Sequence, residues 1–139
     1  MKKLVLATAL AFALSACAPP PPPQMAAACP ALLKSALQFN LYFGRETADG
    51  RQVSEVEWVK FLADEVTPRF PDGLSVIDVA GQSRESSGRM AREKTKLLVV
   101  VVFDAPAHLP KVQAVVDAYN KRYGQHGVFR TEHSVCAGV

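Results

Sequence analysis

The sequence predicts a small α+β domain in which four strands and two helices share one hydrophobic core. Three observations support this prediction. Short apolar runs switch between a two-residue period and a helical period along the chain. Gly and Pro residues lie where these runs end. About a hundred residues follow Lys34, which is enough for one domain with one core.

The first strand and the first helix have clear signals. Apolar and polar residues alternate strictly from Leu37 to Phe43, as in a half-buried strand. Ser54 and Glu57 have the spacing of a capping box, and Pro68 is expected to stop the helix that follows. The apolar stripe predicted to face the core consists of Val56, Val59, Leu62, Ala63 and Val66.

The two middle strands are predicted on either side of a polar stretch. Asp72 and Gly73 form a turn that leads into a second strand, from Leu74 to Ala80 or slightly beyond. The segment Thr95 to Phe103 is predicted to be a third strand that is apolar on both faces.

A second helix and a last strand complete the domain. Pro110 is predicted at the first helical position and Gly124 at the end of the helix. The stretch from Val128 to Cys136 is predicted to be the fourth strand. Trp58, Phe61, Tyr119 and Tyr123 lie at helical spacings and are predicted to be core residues.

The resulting order, β-α-β-β-α-β, is that of the ferredoxin-like fold. Right-handed crossovers then place both helices on one face of an antiparallel sheet, with the first and third strands central. Strands one and four pair in this arrangement, so Cys29 and Cys136 are expected to lie close together and to form a disulfide. Two free buried thiols are the alternative.

The amino-terminal segment is predicted to be a lipoprotein signal. Two lysines precede an apolar run that is too short to span a bilayer. The residues from Leu14 to Cys17 resemble the bacterial lipobox, which implies cleavage after residue 16 and acylation of Cys17. Ala18 would then favour the outer membrane, by analogy with lipoprotein sorting. An ordinary secretory signal cleaved elsewhere is the alternative.

Three segments follow from this prediction: a signal peptide (1–16), a lipidated, Pro-rich tether (17–33) and the ferredoxin-like domain (34–139). Pro19 to Pro23 favour an extended polyproline II stalk. Loss of the signal removes two of the 16 basic residues, which leaves 14 against 13 acidic ones. This near balance gives no indication of nucleic-acid binding.

Three stretches carry a resemblance to a bacterial family known as domain of unknown function 3574. They are LYFGR (41–45), VTPRFPDGLSVIDVAGQSR (66–84) and YNKRYGQHGVFR (119–130). Similar proteins usually have Trp where this chain has Ser83. The resemblance implies no activity, because the family has none established.

No sequence motif indicates a metal site, a phosphate loop or a nucleophile elbow, and no cofactor is predicted. The strongest candidate site is the sheet face away from the helices. If the apolar row of strand one faces the helices, Gln38, Asn40 and Tyr42 face outward. Arg130, Glu132 and Ser134 of strand four are expected beside them. This open face suits a small ligand or a homodimer partner.

The predicted hairpin is rich in basic residues. Between positions 84 and 96 there are five basic residues, Arg84, Arg89, Arg92, Lys94 and Lys96, and two acidic ones. The hairpin is therefore a candidate for binding phosphate-bearing lipid headgroups or a glycan polymer, and an ordinary solvated hairpin is the alternative.

The sequence as a whole predicts a lipid-anchored periplasmic domain that acts as a non-catalytic binding or envelope-assembly module. The alternative is a small enzyme of the dimeric α+β barrel type that works at the open face. Its acid/base candidates are Tyr42, Arg130 and Glu132.

Overall fold

The computed structural model describes residues 28–84 and 86–138. Its strands and helices confirm the β-α-β-β-α-β order. The predicted signal 1–16, the predicted acylation site Cys17 and the proline run lie outside the described residues. The elements are β1 (Lys34–Gly44), α1 (Glu55–Phe61), a π-helical turn (Leu62–Val66), β2 (Ser75–Arg84), β3 (Met90–Val102), α2 (Ala105–Tyr123) and β4 (Phe129–Ala137).

The four strands form one antiparallel sheet in the order β2-β3-β1-β4, so β1 and β3 are central as predicted. Gln38 lies opposite Val101 of β3 and His133 of β4. Residues opposite each other in antiparallel strands project from the same face. The register therefore fixes which side chains share each face of the sheet.

The core lies between the sheet and the two helices. Phe39, Leu41 and Phe43 of β1 are fully buried on this covered face. An aromatic cluster packs on them, and the rings of Phe43 and Tyr119 meet edge to face with centroids 4.8 Å apart. Such contacts add to the burial of apolar area. The predicted core residues Trp58, Phe61, Tyr119 and Tyr123 are all confirmed as buried.

The predicted apolar stripe of α1 is wrong at Val56, Val59 and Ala63, all of which are exposed. The capping box forms as expected, with Ser54 and Glu57 bonded to each other. However, Val56 is 80% exposed and Val59 is 56% exposed, whereas Trp58 and Phe61 face the core. The π-helical turn closes with a bond from the Thr67 N–H to the Leu62 carbonyl. Its extra residue per turn shifts the phase of the helix, so that Val66 is buried as well.

Helix α2 begins earlier than predicted. Asp104 is the N-cap, with its side chain accepting a hydrogen bond from the Ala107 N–H, and Pro106 lies in the first turn. Pro110 is consequently inside the helix and is not its first residue. The predicted end is correct, since Gly124 adopts a left-handed conformation with φ of 65°.

Cys29 and Cys136 form a disulfide with their Cα atoms 5.5 Å apart. The bond links the segment before β1 to the end of β4, as the predicted pairing of these strands requires. Within the described part of the chain, no helix is long and apolar enough to cross a bilayer.

Strands β2 and β3 are longer than predicted. Their pairing runs from Ser75 opposite Val99 to Arg84 opposite Met90, whereas the pairing of β1 with β3 stops at Gly44 opposite Thr95. The last five residues of β2 and the first five of β3 therefore form a two-stranded arm beyond the main sheet. We call residues 80–84 and 90–94 the arm. The arm and the disulfide lie at opposite ends of the sheet.

Candidate functional site

The sheet face away from the helices is uncovered, and we call it the open face. Gln38, Asn40 and Tyr42 of β1 lie on it, as predicted. The residues of β3 beside them are Leu97, Val99 and Val101, so this strand is apolar on both faces as expected. Partly exposed apolar side chains next to polar ones are typical of binding surfaces.

Polar side chains on the open face form a chain of hydrogen bonds across two strands. The Gln38 amide donates to Asn40 Oδ1 at 2.9 Å, and the Asn40 amide donates to Thr131 Oγ1 at 3.3 Å. His133 Nε2 lies 3.1 Å from the same Thr131 hydroxyl. These bonds hold the amides in fixed orientations. The amides are therefore preorganised for a partner that approaches the face.

The predicted grouping of Arg130 and Glu132 with Tyr42 is wrong. Arg130 pairs with Leu41 and Glu132 with Phe39, so both project from the helix side of the sheet. Phe129 lies opposite Tyr42, on the open face where Arg130 and Glu132 were predicted. Ser134, opposite Leu37, also faces the helix side. Arg130 and Glu132 instead form a half-exposed ion pair with each other at 3.1 Å.

A pocket of about 450 Å³ lies on the open face at the root of the arm. We call it the hairpin-end pocket. Tyr42 and Phe129 form one wall, with ring centroids 5.5 Å apart, and Phe129 is 69% exposed. Its lining draws on all three stretches that resemble the family. The lining consists of Tyr42, Gly44, Val79, Ala80, Gly81, Gln82, Ser83, Glu93, Thr95, Gln125, Gly127 and Phe129.

The Glu93 carboxylate is positioned over Gly44 at the floor of this pocket. Its Oε1 atom accepts a hydrogen bond from the Glu46 N–H at 3.1 Å. A Cβ atom on Gly44 would lie only 2.3 Å from that oxygen, so a larger residue at this position would require the Glu93 carboxylate to move. Among the described residues, the second oxygen of Glu93 has no hydrogen-bond partner. It is therefore available as an acceptor for a ligand.

The backbone at Gly44 is held from both sides of the sheet. Tyr119 donates its hydroxyl to the Gly44 carbonyl at 2.8 Å, and Gln125 donates its amide to the same oxygen at 3.3 Å. Burial raises the pKa of Tyr119 above its usual value, so the phenol remains a donor at neutral pH. The core thus fixes the floor of the hairpin-end pocket, which is an advantage for binding.

Few of the side chains that line the pocket are titratable. Tyr42 and Glu93 are its titratable side chains, and no histidine, lysine or cysteine is in its lining. In the described part of the chain, no group of three His, Cys, Asp or Glu side chains is arranged to hold a metal ion. An aromatic wall with one carboxylate can hold a flat ring that carries hydrogen-bond donors.

A larger groove of about 640 Å³ lies at the other end of the sheet, near the disulfide. We call it the tether-end groove. Most of its lining is apolar, and two of its polar residues are engaged within the protein: Asp104 caps α2, and His108 Nδ1 bonds to the Asp104 carbonyl at 2.6 Å. The His108 ring also stacks on Phe70. We place the candidate site in the hairpin-end pocket because an aromatic wall lies there beside a Glu93 oxygen that has no partner among the described residues.

A buried lysine supports the root of the arm on the helix side. Lys96 is 3% exposed and forms ion pairs with Asp78 at 2.7 Å and Glu55 at 2.9 Å. Burial alone would lower the pKa of Lys96, but the hydrogen bonds to Asp78 and Glu55 outweigh it and raise that pKa. The hydrogen bond from Lys96 lowers the pKa of Asp78. Lys96 is therefore structural, and its charge is not available to an external anion.

Sequence reasoning missed Glu93, Thr95, Gln125 and Phe129 as site residues. Glu93 falls in the polar stretch between the two predicted middle strands, because the sequence predicts a start of β3 only at Thr95. The resemblance to a known family contained a usable signal for Gln125 and Phe129, since both lie in one of the three stretches that carry it. Only the strand register shows that these stretches meet at one pocket.

The chain belongs to the protein family described as protein of unknown function DUF3574, which it matches over residues 38–138. This match confirms the family resemblance seen in the sequence. None of the curated proteins matches the chain significantly.

The fold is similar to that of several solved structures. A phage SAM lyase in complex with S-methyl-5'-thioadenosine superposes with a TM-score of 0.57 at 15% identity, over 75% of this chain and 90% of that one. The same lyase in its apo state gives 0.55 at 12% identity, over 76% and 90% of the two chains. CutA from Synechococcus elongatus gives 0.49 at 10% identity, over 75% and 80%. At these identities the two lyase structures show a shared fold and nothing beyond it.

Proposed function

We propose that the protein is a lipid-anchored binding module of the periplasm that holds a small, flat, polar molecule in the hairpin-end pocket. One observation carries the proposal: an aromatic wall of Tyr42 and Phe129 lies beside a carboxylate, Glu93, whose second oxygen is free among the described residues. Aromatic rings bind flat ligands by stacking, and a carboxylate accepts bonds from hydroxyl or amino groups.

The anchoring part of the proposal rests on the sequence. The lipobox-like residues before Cys17 support acylation there, and Ala18 supports retention in the outer membrane. Two or more acyl chains on one residue give durable attachment, at roughly 0.8 kcal/mol for each buried CH₂ group. The disulfide is consistent with export, because disulfides persist in oxidising compartments.

A nucleoside-like compound is a suitable first probe. Such a molecule offers a flat base for the Tyr42–Phe129 wall and ribose hydroxyls for Glu93. The phage SAM lyase with a similar fold was solved with S-methyl-5'-thioadenosine, and we propose this compound as the probe because its chemistry matches the pocket.

Calorimetric titration of the purified full chain tests this proposal. We expect S-methyl-5'-thioadenosine to bind, and we expect Tyr42→Ala and Glu93→Gln each to weaken binding about tenfold or more, since stacking and a charged hydrogen bond each contribute at least about 1.4 kcal/mol. Tyr123→Phe is a matched control, because it removes a phenol hydroxyl on the covered side of the sheet. Equal affinity of all variants would refute the proposed pocket.

A second candidate function is assembly of two copies through the open face. This candidate is favoured by the absence of charged side chains from its central part, where Ile77, Leu97 and Val99 lie between Ser75 and Asn40. Ile77 is 49% exposed in the monomer. A dimer in solution that is disrupted by Val99→Lys, with ligand binding in the hairpin-end pocket unchanged, would support assembly as a separate role.

A further inference from the structure

The arm carries unpaired cations along one face. Alternate residues of β3 on the helix side are Lys96, Lys94 and Arg92, and Arg84 of β2 lies diagonally beside Arg92. Lys96, at the root, is buried between two carboxylates. Among the described residues, Lys94, Arg92 and Arg84 have no carboxylate within salt-bridge distance, and all three are exposed. Lys94, Arg92 and Arg84 differ in this respect from Lys96, whose charge is paired within the domain.

The spacing of these cations suits a surface that carries many anions. Residues two apart on a strand project from the same face about 7 Å from each other, and diagonal neighbours across two strands are separated by about 7–8 Å. Three positive charges therefore lie within roughly 15 Å along one side of the arm. The rest of the mature chain is close to electrically neutral, so this concentration of charge is local.

An exposed methionine beside these cations indicates which kind of anionic surface the arm suits. Met90 lies opposite Arg84 on the same side of the arm and is 49% exposed. Cations beside an exposed apolar side chain suit the boundary between lipid headgroups and acyl chains, where both are satisfied. A glycan polymer offers anions but no apolar phase for the methionine. The combination favours lipid.

We propose that the basic side of the arm, formed by Lys94, Arg92 and Arg84 with Met90 at its tip, binds phosphate headgroups of an anionic lipid surface. The arm is at the opposite end of the sheet from the disulfide where the tether joins the domain. If Cys17 is acylated, as in the proposed function, the molecule would touch the membrane at both ends. The arm would then set the orientation of the domain and not its attachment.

Vesicle binding of the full chain tests the arm separately from the acyl anchor. The chain should carry Cys17→Ser, which prevents acylation, and binding is measured to vesicles of phosphatidylcholine alone and of phosphatidylcholine with phosphatidylglycerol. The ratio of the two affinities cancels any contribution of uncharged segments. We expect a preference for phosphatidylglycerol that weakens with salt.

The triple substitution R84Q/R92Q/K94Q should reduce that preference on the order of a hundredfold, since each cation near an anionic surface is expected to contribute about fivefold. Met90→Ser should weaken binding to the phosphatidylglycerol-containing vesicles a few fold. The control K34Q/K111Q/K121Q removes the same charge elsewhere and should leave the preference largely intact. R84K/R92K should retain binding.

An equal loss in the control and the arm variant would overturn the proposal, because it would show a response to net charge alone. Binding to purified cell-wall glycan in place of the vesicles would also overturn it. Neither outcome bears on the proposed anchor, which is tested by whether Cys17→Ser releases the chain from native membranes. Circular dichroism confirms that each variant folds.

Discussion

Tyr42 and Phe43 are neighbours in β1, yet they lie on faces of the sheet with opposite properties. Phe43 is fully buried among Trp58, Phe61 and Tyr119 on the covered face. Among the described residues, Tyr42 contacts one aromatic ring, that of the largely exposed Phe129. One face therefore accounts for the stability of the fold, and the other has apolar and polar groups that the fold does not need. Substitutions on the two faces should have different consequences.

The largest effect on stability is expected for Phe43→Ala. Removing a fully buried phenylalanine should cost about 3–5 kcal/mol, through lost burial and the cavity left behind. Phe129→Ala on the open face is the matched control and should cost well under half of that, since its ring is 69% exposed. Urea denaturation of both variants measures the difference. Similar losses would show that the open face also holds the fold together.

Loss of the disulfide should come next. The bond closes a loop of 107 residues, and reduction or Cys136→Ala should lower the free energy of unfolding by about 2–5 kcal/mol. The purified protein should contain no thiol at Cys29 or Cys136 that reacts in denaturant. Two reactive thiols would contradict the pairing of the ends of β1 and β4.

The Lys96 cluster predicts a specific response to pH. The pKa of Asp78 is lowered in the folded state, so its contribution to stability is present above the unfolded pKa of about 3.9 and is lost as pH falls through the folded value. The pKa of Lys96 is raised, so its contribution is present below about pH 10.4 and is lost as pH rises through the folded value. Lys96→Met should reduce both the fall in melting temperature at low pH and the fall at high pH. Lys94→Met should reduce neither.

A small effect is expected for the helix cap. Ser54→Ala removes the side-chain bond to the Glu57 N–H and should cost about 1 kcal/mol. Ser83→Ala, on the arm, has no such partner among the described residues and serves as the control. A cost near zero for Ser54→Ala would mean that the capping box does not stabilise α1.

Much of the fold was predictable, because periodicity, caps and turn residues agreed with one another. The exposed side of β1 and the left-handed Gly124 follow directly from such local signals, and the disulfide follows from the predicted order of the strands. Which side chains of β4 project from the helix side of the sheet was not predictable in this way. Both of its rows contain polar residues, and on an edge strand Arg130 and Glu132 reach solvent even from the helix side. The prediction of which α1 residues face the core also failed, since a π-helical turn leaves no simple sequence pattern.

The candidate site was predictable only in part. Tyr42 could be assigned to the open face from alternation alone, and it lines the hairpin-end pocket. Glu93 and Phe129 could not be placed beside it, because their positions depend on where β3 starts and on the register of β4. These are long-range pairings, which a local pattern does not specify.

Purification from native membranes, followed by mass spectrometry of bound small molecules, tests most directly whether the open face binds a ligand. Wild-type protein and Tyr42→Ala should be compared, with urea denaturation of both. We predict that the wild type carries a small flat molecule, that Tyr42→Ala loses it, and that the two proteins differ in stability by less than about 1 kcal/mol, as expected for a partly exposed side chain. The same bound molecule in both proteins, or none in either, would contradict the account.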